Sequence, residues 1–388
     1  MRASLTAACM LTAACAGEWD CPPGTHCARD GVTRPGDIHP IDGLVDIDPN
    51  ITCPVDERPR EFSPADVPDG WEEERLHLRY SLVILPDTQN YLDPMLNVDG
   101  SHCMDLFISQ VEWLRDHVDQ ERIAFVLHEG DVTQTNTDGE WSLASDLMGR
   151  LDGVVPYALT LGNHDLGPAG EAKDRSTWVD AYFPPDRFRA MGTLGGLMDP
   201  ASVANAFHLF EADGDRYLVL ALEFAPRDLV LQWAAGVARD HPDRQVILLM
   251  HDYLYFDGHP TQPDDEHYPF RQCGYGVGQA DGGTCNDGQS VWEHLVAPAS
   301  NIRFVFSGHH LGDGTARSVA RARDGKPVLQ ALANYQMRHR GGDGWLRVLR
   351  FLDDGTLSTW TYSPALERWL TDGQNRFRYE PARGRDLP

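Results

Sequence analysis

A chain of 388 residues with 41% hydrophobic content can bury one large core without needing metal or disulfides merely to fold. Its 59 acidic residues against 33 Lys and Arg give a formal charge of −26, which repels polyanions at long range and disfavours nucleic acid as a partner. A small anion is still compatible with such a surface if bound cations reverse the field locally.

Residues 1–14 read as an export signal: Arg2 is followed by small and apolar residues, too few for a spanning helix of roughly 20. The stretch Leu11 to Cys15 has the form of a bacterial lipoprotein processing site, with Thr12 where a larger aliphatic residue is usual. The expectation is an exported protein, either a surface lipoprotein anchored at Cys15 or a secreted one, touching membrane only through that anchor. Beyond it lie Cys21, Cys27, Cys53, Cys103, Cys273 and Cys285, an even set suited to an oxidising compartment. Cys21 with Cys27 and Cys273 with Cys285 are close enough in sequence to close small loops. Zinc binding competes poorly, since no CxxC occurs.

Residues 15–75 are rich in Cys, Pro and Gly and carry turn signals such as RPGD and DPN, as in a tether or collar. From Leu76 short apolar runs alternate with helical patterns: Ser81 to Pro86, then CMDLFISQVEWLRDHV, IAFVLH, EWSLASDLMGRL and VVPYALTLG. That order predicts parallel βαβ units. Later come hairpin-like pairs, the first turning at Asp213 to Asp215, then a helix over 228–239, VILLMHDYL, a long loop, IRFVFSGHH, PVLQALANYQ and a last hairpin. The pattern predicts two packed sheets with helices outside. The domain is read over 76–365, with 366–388 as a C-terminal extension.

Polar clusters stand directly after strands: Asp87 in DTQN, Asp131 in GDVTQ, Asn163 in GNHD, His251 in MHDYL and His309 in SGHH. One such carboxylate would only cap the next helix. Five strand ends supplying oxygen and imidazole donors point instead to divalent metal, Mn, Fe, Zn or Mg, one ion or two.

In these blocks the chain resembles the calcineurin-like metallophosphoesterase superfamily. The match runs through Asp87-Thr88-Gln89, Gly130-Asp131, Gly162-Asn163-His164-Asp165, His251 and Gly308-His309-His310-Leu311, and extends to a bacterial branch through residues 334–364. The resemblance implies an α/β fold, a four-layer α/β/β/α sandwich of two mixed sheets flanked by helices. It also implies hydrolysis of a phosphoric mono- or diester, with Asp131 bridging two ions, metal-activated hydroxide as nucleophile and His164 assisting the leaving group. Asp165 would orient the His164 imidazole.

Two positions depart from that pattern. Gln89 and Leu311 stand where imidazoles are usual, so one ion keeps Asp87, Asp131 and the Gln89 carboxamide oxygen, a shell for a harder or more weakly held ion. His310 is a candidate substitute. His128, Asn136, Asp252, Asp313 and Tyr335 lie near the blocks and are candidates for the pocket or its support. His208, His259 and His267 fall in hairpin or insertion segments and read as solvated, and Trp345 as core. The partner implied is a small phosphoester whose identity and ester class are not written in the residues, nor is the oligomeric state. A degenerate protein that binds phosphate or metal without turnover is the alternative, favoured by Gln89 and Leu311.

Overall fold

The computed structural model describes residues 67–97, 103–263, 265, 275–280 and 284–387. The export signal, Cys15, most of the tether, His267 and the thiols Cys21, Cys27, Cys53 and Cys273 lie outside them, and with them the two pairings read from spacing. Cys103 and Cys285 are each disulfide-bonded. No helix of the described residues is long and apolar enough to cross a membrane.

Strands β1 (Leu78–Leu85), β2 (Ile123–His128) and β3 (Tyr157–Leu159) run parallel, joined by helices α1 (Trp71–Leu76) before β1, then α2 (Gln89–Leu92), α3 (Met104–His117) and α4 (Asp138–Met148). Short helices α5 (Val179–Tyr182) and α6 (Pro185–Ala190) lead into a second sheet. It comprises β4 (Leu194–Leu197), β5 (Ala206–Ala212), β6 (Asp215–Ala221), β7 (Gln245–Leu249), β8 (Ile302–Ser307), β9 (Thr315–Arg321) and β10 (Pro327–Ala333), in the order β4-β5-β6-β7-β8-β10-β9. Helix α7 (Asp228–Asp240) crosses from β6 to β7, and β6, β7, β8 and β10 are parallel. The chain then returns to the first sheet through β11 (Leu346–Leu352) and β12 (Leu357–Ser363).

Alternation along the strands builds the layers. Leu82, Ile84, Phe125 and Leu127 meet Val219, Ile247 and Phe306 between the sheets. Their neighbours Val83, Leu85 and Val126 face Phe107, Val111, Trp141 and Ala144 of α3 and α4. On the other side Val230, Leu231 and Ala234 of α7 cover Leu218, Val246 and Val305. This is the expected α/β/β/α sandwich of two mixed sheets.

Two features differ from the sequence reading. Residues past 365 supply β13 (Arg368–Leu370), β14 (Phe377–Glu380) and β15 (Arg385–Leu387), so the first sheet continues through what reads as an extension. Short strands among charged residues carry too little apolar alternation to be recognised. His208 is not solvated: it is buried against Phe125 and Phe188, and burial holds its imidazole down at about 3. It lies on β5, whose inward positions face the core.

Helix α1 is locked to the sheet by charge as well as packing. Arg350 of β11 lies with its guanidinium 3.1 Å from the centroid of the Trp71 ring and donates to the Trp71 carbonyl at 2.6 Å. Its Nε donates to Glu121 Oε2 at 3.2 Å, while Arg75 donates to Oε1 of the same carboxylate at 3.1 Å.

Candidate metal centre

The parallel strands of both sheets end at one edge of the sandwich, where the five predicted ligands gather. Beyond β1, the Thr88 N–H donates to the Asp131 carbonyl at 3.1 Å and the His309 N–H donates to Asp87 Oδ2 at 3.2 Å. Beyond β2, Asp131 has φ 44, and beyond β8, His309 has φ 68. Both are left-handed conformations that L side chains adopt at a cost, usually at functional sites. Glycine is required beside them. A Cβ on Gly162 would lie 2.0 Å from Asp131 Oδ1, and one on Gly308 would lie 2.1 Å from Asp87 Oδ1. Gly308→Ala should therefore displace the Asp87 carboxylate. Since an error of 1 Å at a reacting centre costs about 10²-fold, turnover is expected to fall by at least that while far-UV circular dichroism stays native.

His251 is fixed by its back nitrogen: Nδ1–H donates to the Glu129 carbonyl at 2.9 Å, so Nε2 is the nitrogen that faces forward. That Nε2 is 3.1 Å from Asp131 Oδ2 and 3.1 Å from His309 Nδ1. The three ligand atoms of Asp131, His251 and His309 lie within 4.8 Å of one another. The buried wall behind them is Phe224, 6.0 Å from the His251 ring and 5.7 Å from that of His309.

A divalent cation fits this set. Asp87 Oδ1, Gln89 Oε1 and Asn163 Oδ1 are buried with no hydrogen-bond partner among the described residues, although each is a strong acceptor. Two imidazole nitrogens and a carboxylate oxygen converge where only a shared cation or proton satisfies all three. The charge balance agrees. Burial pushes Asp87 up to about 8 against the pull of His251, with Asp131 adding to the rise. For His251 burial opposes charge, but Asp131 and Asp87 outweigh it and carry the ring up to about 10. Protons thus stand in for positive charge at a site rich in buried acid.

His164 follows Asn163 in the turn after β3. Its N–H donates to Asp131 Oδ1 at 2.9 Å, and its Nδ1–H donates to the Gln134 carbonyl at 2.8 Å, so Nε2 is the nitrogen turned away from that loop. The Gln134 loop is itself held by Glu140, whose carboxylate accepts from the Gln134 and Thr135 N–H groups at 3.0 and 3.1 Å and completes a capping box with Thr137 at the start of α4.

Asp165 does not orient His164. Its carboxylate accepts from Val132, Thr133 and Gly162 N–H groups and from the Thr133 hydroxyl, at 2.8 to 3.1 Å, tying the second and third blocks together. Burial, reinforced by Asp131, still raises it to about 7. The side chain turns inward to four donors, and the next-door imidazole turns outward.

The other candidates divide. His128 accepts from Gly130 N–H on Nδ1 at 3.2 Å and so donates from Nε2 to Thr88 Oγ1 at 3.0 Å, a buried neutral ring supporting the first two blocks. Asn136, at φ 50, donates to the Gly167 and Ser176 carbonyls and accepts from the Trp141 indole at 2.8 Å. Asp252 and His310 pair at 2.9 Å and, with His309, form a second group able to hold an ion. His310 is thereby directed to Asp252 and not to Asp87. Asp313 accepts from the Thr315 N–H at 3.0 Å and closes its own turn. Tyr335 belongs to the core: its hydroxyl donates to Asn375 Oδ1 at 2.7 Å and accepts from Arg347 at 3.0 Å. Trp345 packs with it.

Sequence reading misses the Glu129 and Gln134 carbonyls, which act through backbone and carry no residue signal, and Phe224, an apolar residue among apolar residues. Asn334 enters that reading only within a longer match; its amide donates to the His309 carbonyl at 2.9 Å.

A family model described as calcineurin-like phosphoesterase matches residues 36–313. The chain belongs to the calcineurin-like phosphoesterase family. A curated relative, the uncharacterized protein YvnB of Bacillus subtilis (strain 168), is 30% identical over 293 residues, 74% of this chain and 20% of YvnB. This phosphoesterase-family chain therefore spans about one fifth of the length of that relative. Among solved structures it is similar to purple acid phosphatase PPD1 from yellow lupin (Lupinus luteus) seeds, at TM-score 0.45 and 12% identity over 75% of this chain and 52% of that one. It is also similar to a 5'-nucleotidase precursor from Thermus thermophilus, at TM-score 0.39 and 16% identity over 75% and 53%.

Proposed function

We propose that this chain hydrolyses a small phosphoric ester, mono- or diester, with divalent metal at the centre built by Asp131, Asn163, His251 and His309 on one side and Asp87, Asp131 and Gln89 on the other. The observation that carries this reading is the convergence of Asp131 Oδ2, His251 Nε2 and His309 Nδ1 beside an imidazole held ready by Gln134. When bound, divalent ions supply Lewis acidity toward phosphoryl oxygens and lower the pKa of water. The chain's own groups do the rest. Asp131 and Asp87 hold their carboxylates through backbone N–H groups, and the Glu129 carbonyl turns the ligating nitrogen of His251 toward the centre. His164, anchored at Nδ1, delivers a proton from Nε2 to the departing alkoxide, and the −26 surface turns away long polyanions.

His164→Ala is expected to lower kcat by about 10²- to 10⁴-fold on esters of ordinary alcohols. The deficit should shrink on 4-nitrophenyl esters, whose leaving group needs no proton. The measurement is a metal-reconstituted assay of paired phosphomonoester and phosphodiester substrates. An equal loss on both kinds of leaving group would remove the acid role from His164.

The alternative of a binding protein without turnover is favoured by Gln89 and Leu311, which leave Asp87's side without imidazole. The same assay decides: tight metal binding without hydrolysis of any ester supports it. Location outside the cytoplasm, secreted or anchored at Cys15, is supported by the disulfide bonding of Cys103 and Cys285.

A further inference from the structure

One aromatic side chain at the centre has no task in hydrolysis. Tyr275 is 48% exposed, although its ring stands edge-on to the His309 imidazole, with centroids 6.0 Å apart and planes at 81°. The same ring leans on Phe224 at 6.1 Å, and Phe224 is fully buried against both imidazole ligands. Tyr275 is thus backed by Phe224 and His309 and remains about half exposed among the described residues. Its backbone has φ 58, and the following Gly276 has φ 117. A bulky residue in the left-handed region is held there against its preference, and such strain gathers at ligand sites. The Cβ position of Gly276 faces Lys173 Cα at 3.7 Å, and that of Gly170, earlier in the same segment, would lie 2.8 Å from the His164 carbonyl oxygen. Tyr275 therefore stands beside His309, on a loop whose next residue meets the 170–173 turn that also touches the His164 carbonyl.

The geometry points to Tyr275 as a specificity-determining residue that stacks on a flat, aromatic group esterified to the phosphate. The inference rests on the hydrolase reading above and narrows its substrate class. The charged groups acting on the phenol are Asp252 and Asp131, so the organic part of an anionic ester gains nothing from charge on this side. A half-exposed tyrosine ring offers dispersion and quadrupole contact to an aromatic ring, at little entropic cost because the phenol has only two side-chain torsions.

The test uses benzyl and cyclohexylmethyl esters, whose alcohols are nearly equal in basicity and size, each as phosphomonoester and as methyl phosphodiester. The metal-loaded wild type is expected to favour the benzyl ester. In Tyr275→Ala and in Tyr275→Leu, which keeps bulk without a ring, the benzyl-to-cyclohexylmethyl ratio of kcat/KM should fall about ten-fold, mostly through KM, which is about 1.4 kcal/mol. Tyr275→Phe should keep the ratio. Equal metal content across the variants guards against a folding effect. A ratio unchanged in both Ala and Leu variants overturns the inference and leaves the hydrolase reading standing. A wild type that turns over none of the esters overturns both.

Discussion

Asp131→Asn should abolish tight metal binding and lower turnover by about 10³-fold or more, since a bound ion contributes several kcal/mol at about 1.4 kcal/mol per decade. The substitution is nearly isosteric, and the local hydrogen bonds dictate which way the new amide points. One oxygen must still accept from the His164 N–H, as Asp131 Oδ1 does at 2.9 Å. The NH₂ then takes the place of Oδ2, 3.1 Å from His251 Nε2, and donates to the nitrogen that would otherwise bind metal. A donor occupies the point where three acceptors met. Metal content by mass spectrometry should fall sharply, while far-UV circular dichroism of the variant stays native. Retained metal and activity would remove Asp131 from the centre.

A second large effect is expected far from the metal. Glu121 and Arg350 are buried almost completely, and Glu121 also accepts from Arg75. Glu121→Ala leaves a guanidinium buried over Trp71 without its counter-ion, a defect worth about 3–5 kcal/mol. Urea denaturation should show that loss, with kcat of the folded protein unchanged because no metal ligand moves. The double variant Glu121→Leu with Arg350→Met should recover a large part, because desolvating two charges costs most of what their attraction returns. A loss below about 1 kcal/mol in the single variant would mean that water or the Glu74 carboxylate compensates.

The layered fold was legible because it obeys strong local rules, and so was the placing of the five proposed ligands just beyond strands. Strands such as SLVILP and IAFVLH announce themselves by apolar runs, and a ligand that follows a strand is placed by the strand. Donor type was legible too, since Asp, Asn and His in that company have few other common uses. What was hidden depends on backbone or on long-range fit. The Gln134 carbonyl reaches His164 only because Glu140 pins its loop, and Asp165 turns to donors 32 and 33 residues away in sequence. The closing strands β13 to β15 are too short and too charged to alternate. Tyr275 sits in a long insertion whose spacing carries no code, and only its place beside His309 gives it meaning.

The centre draws Asp87, Asp131 and Asn163 from the first sheet and His251 and His309 from the second, joining positions as far as 222 residues apart. An ion shared by these ligands is a cross-link between two halves of the sandwich that are otherwise held together there by apolar packing and by the His251–Glu129 and His309–Asp87 hydrogen bonds. Its binding free energy is then also cohesion free energy, available to whichever state keeps both sheets in register and to no other. The centre is a clasp at the open end of the sandwich, and ligand supply sets how firmly that end is shut.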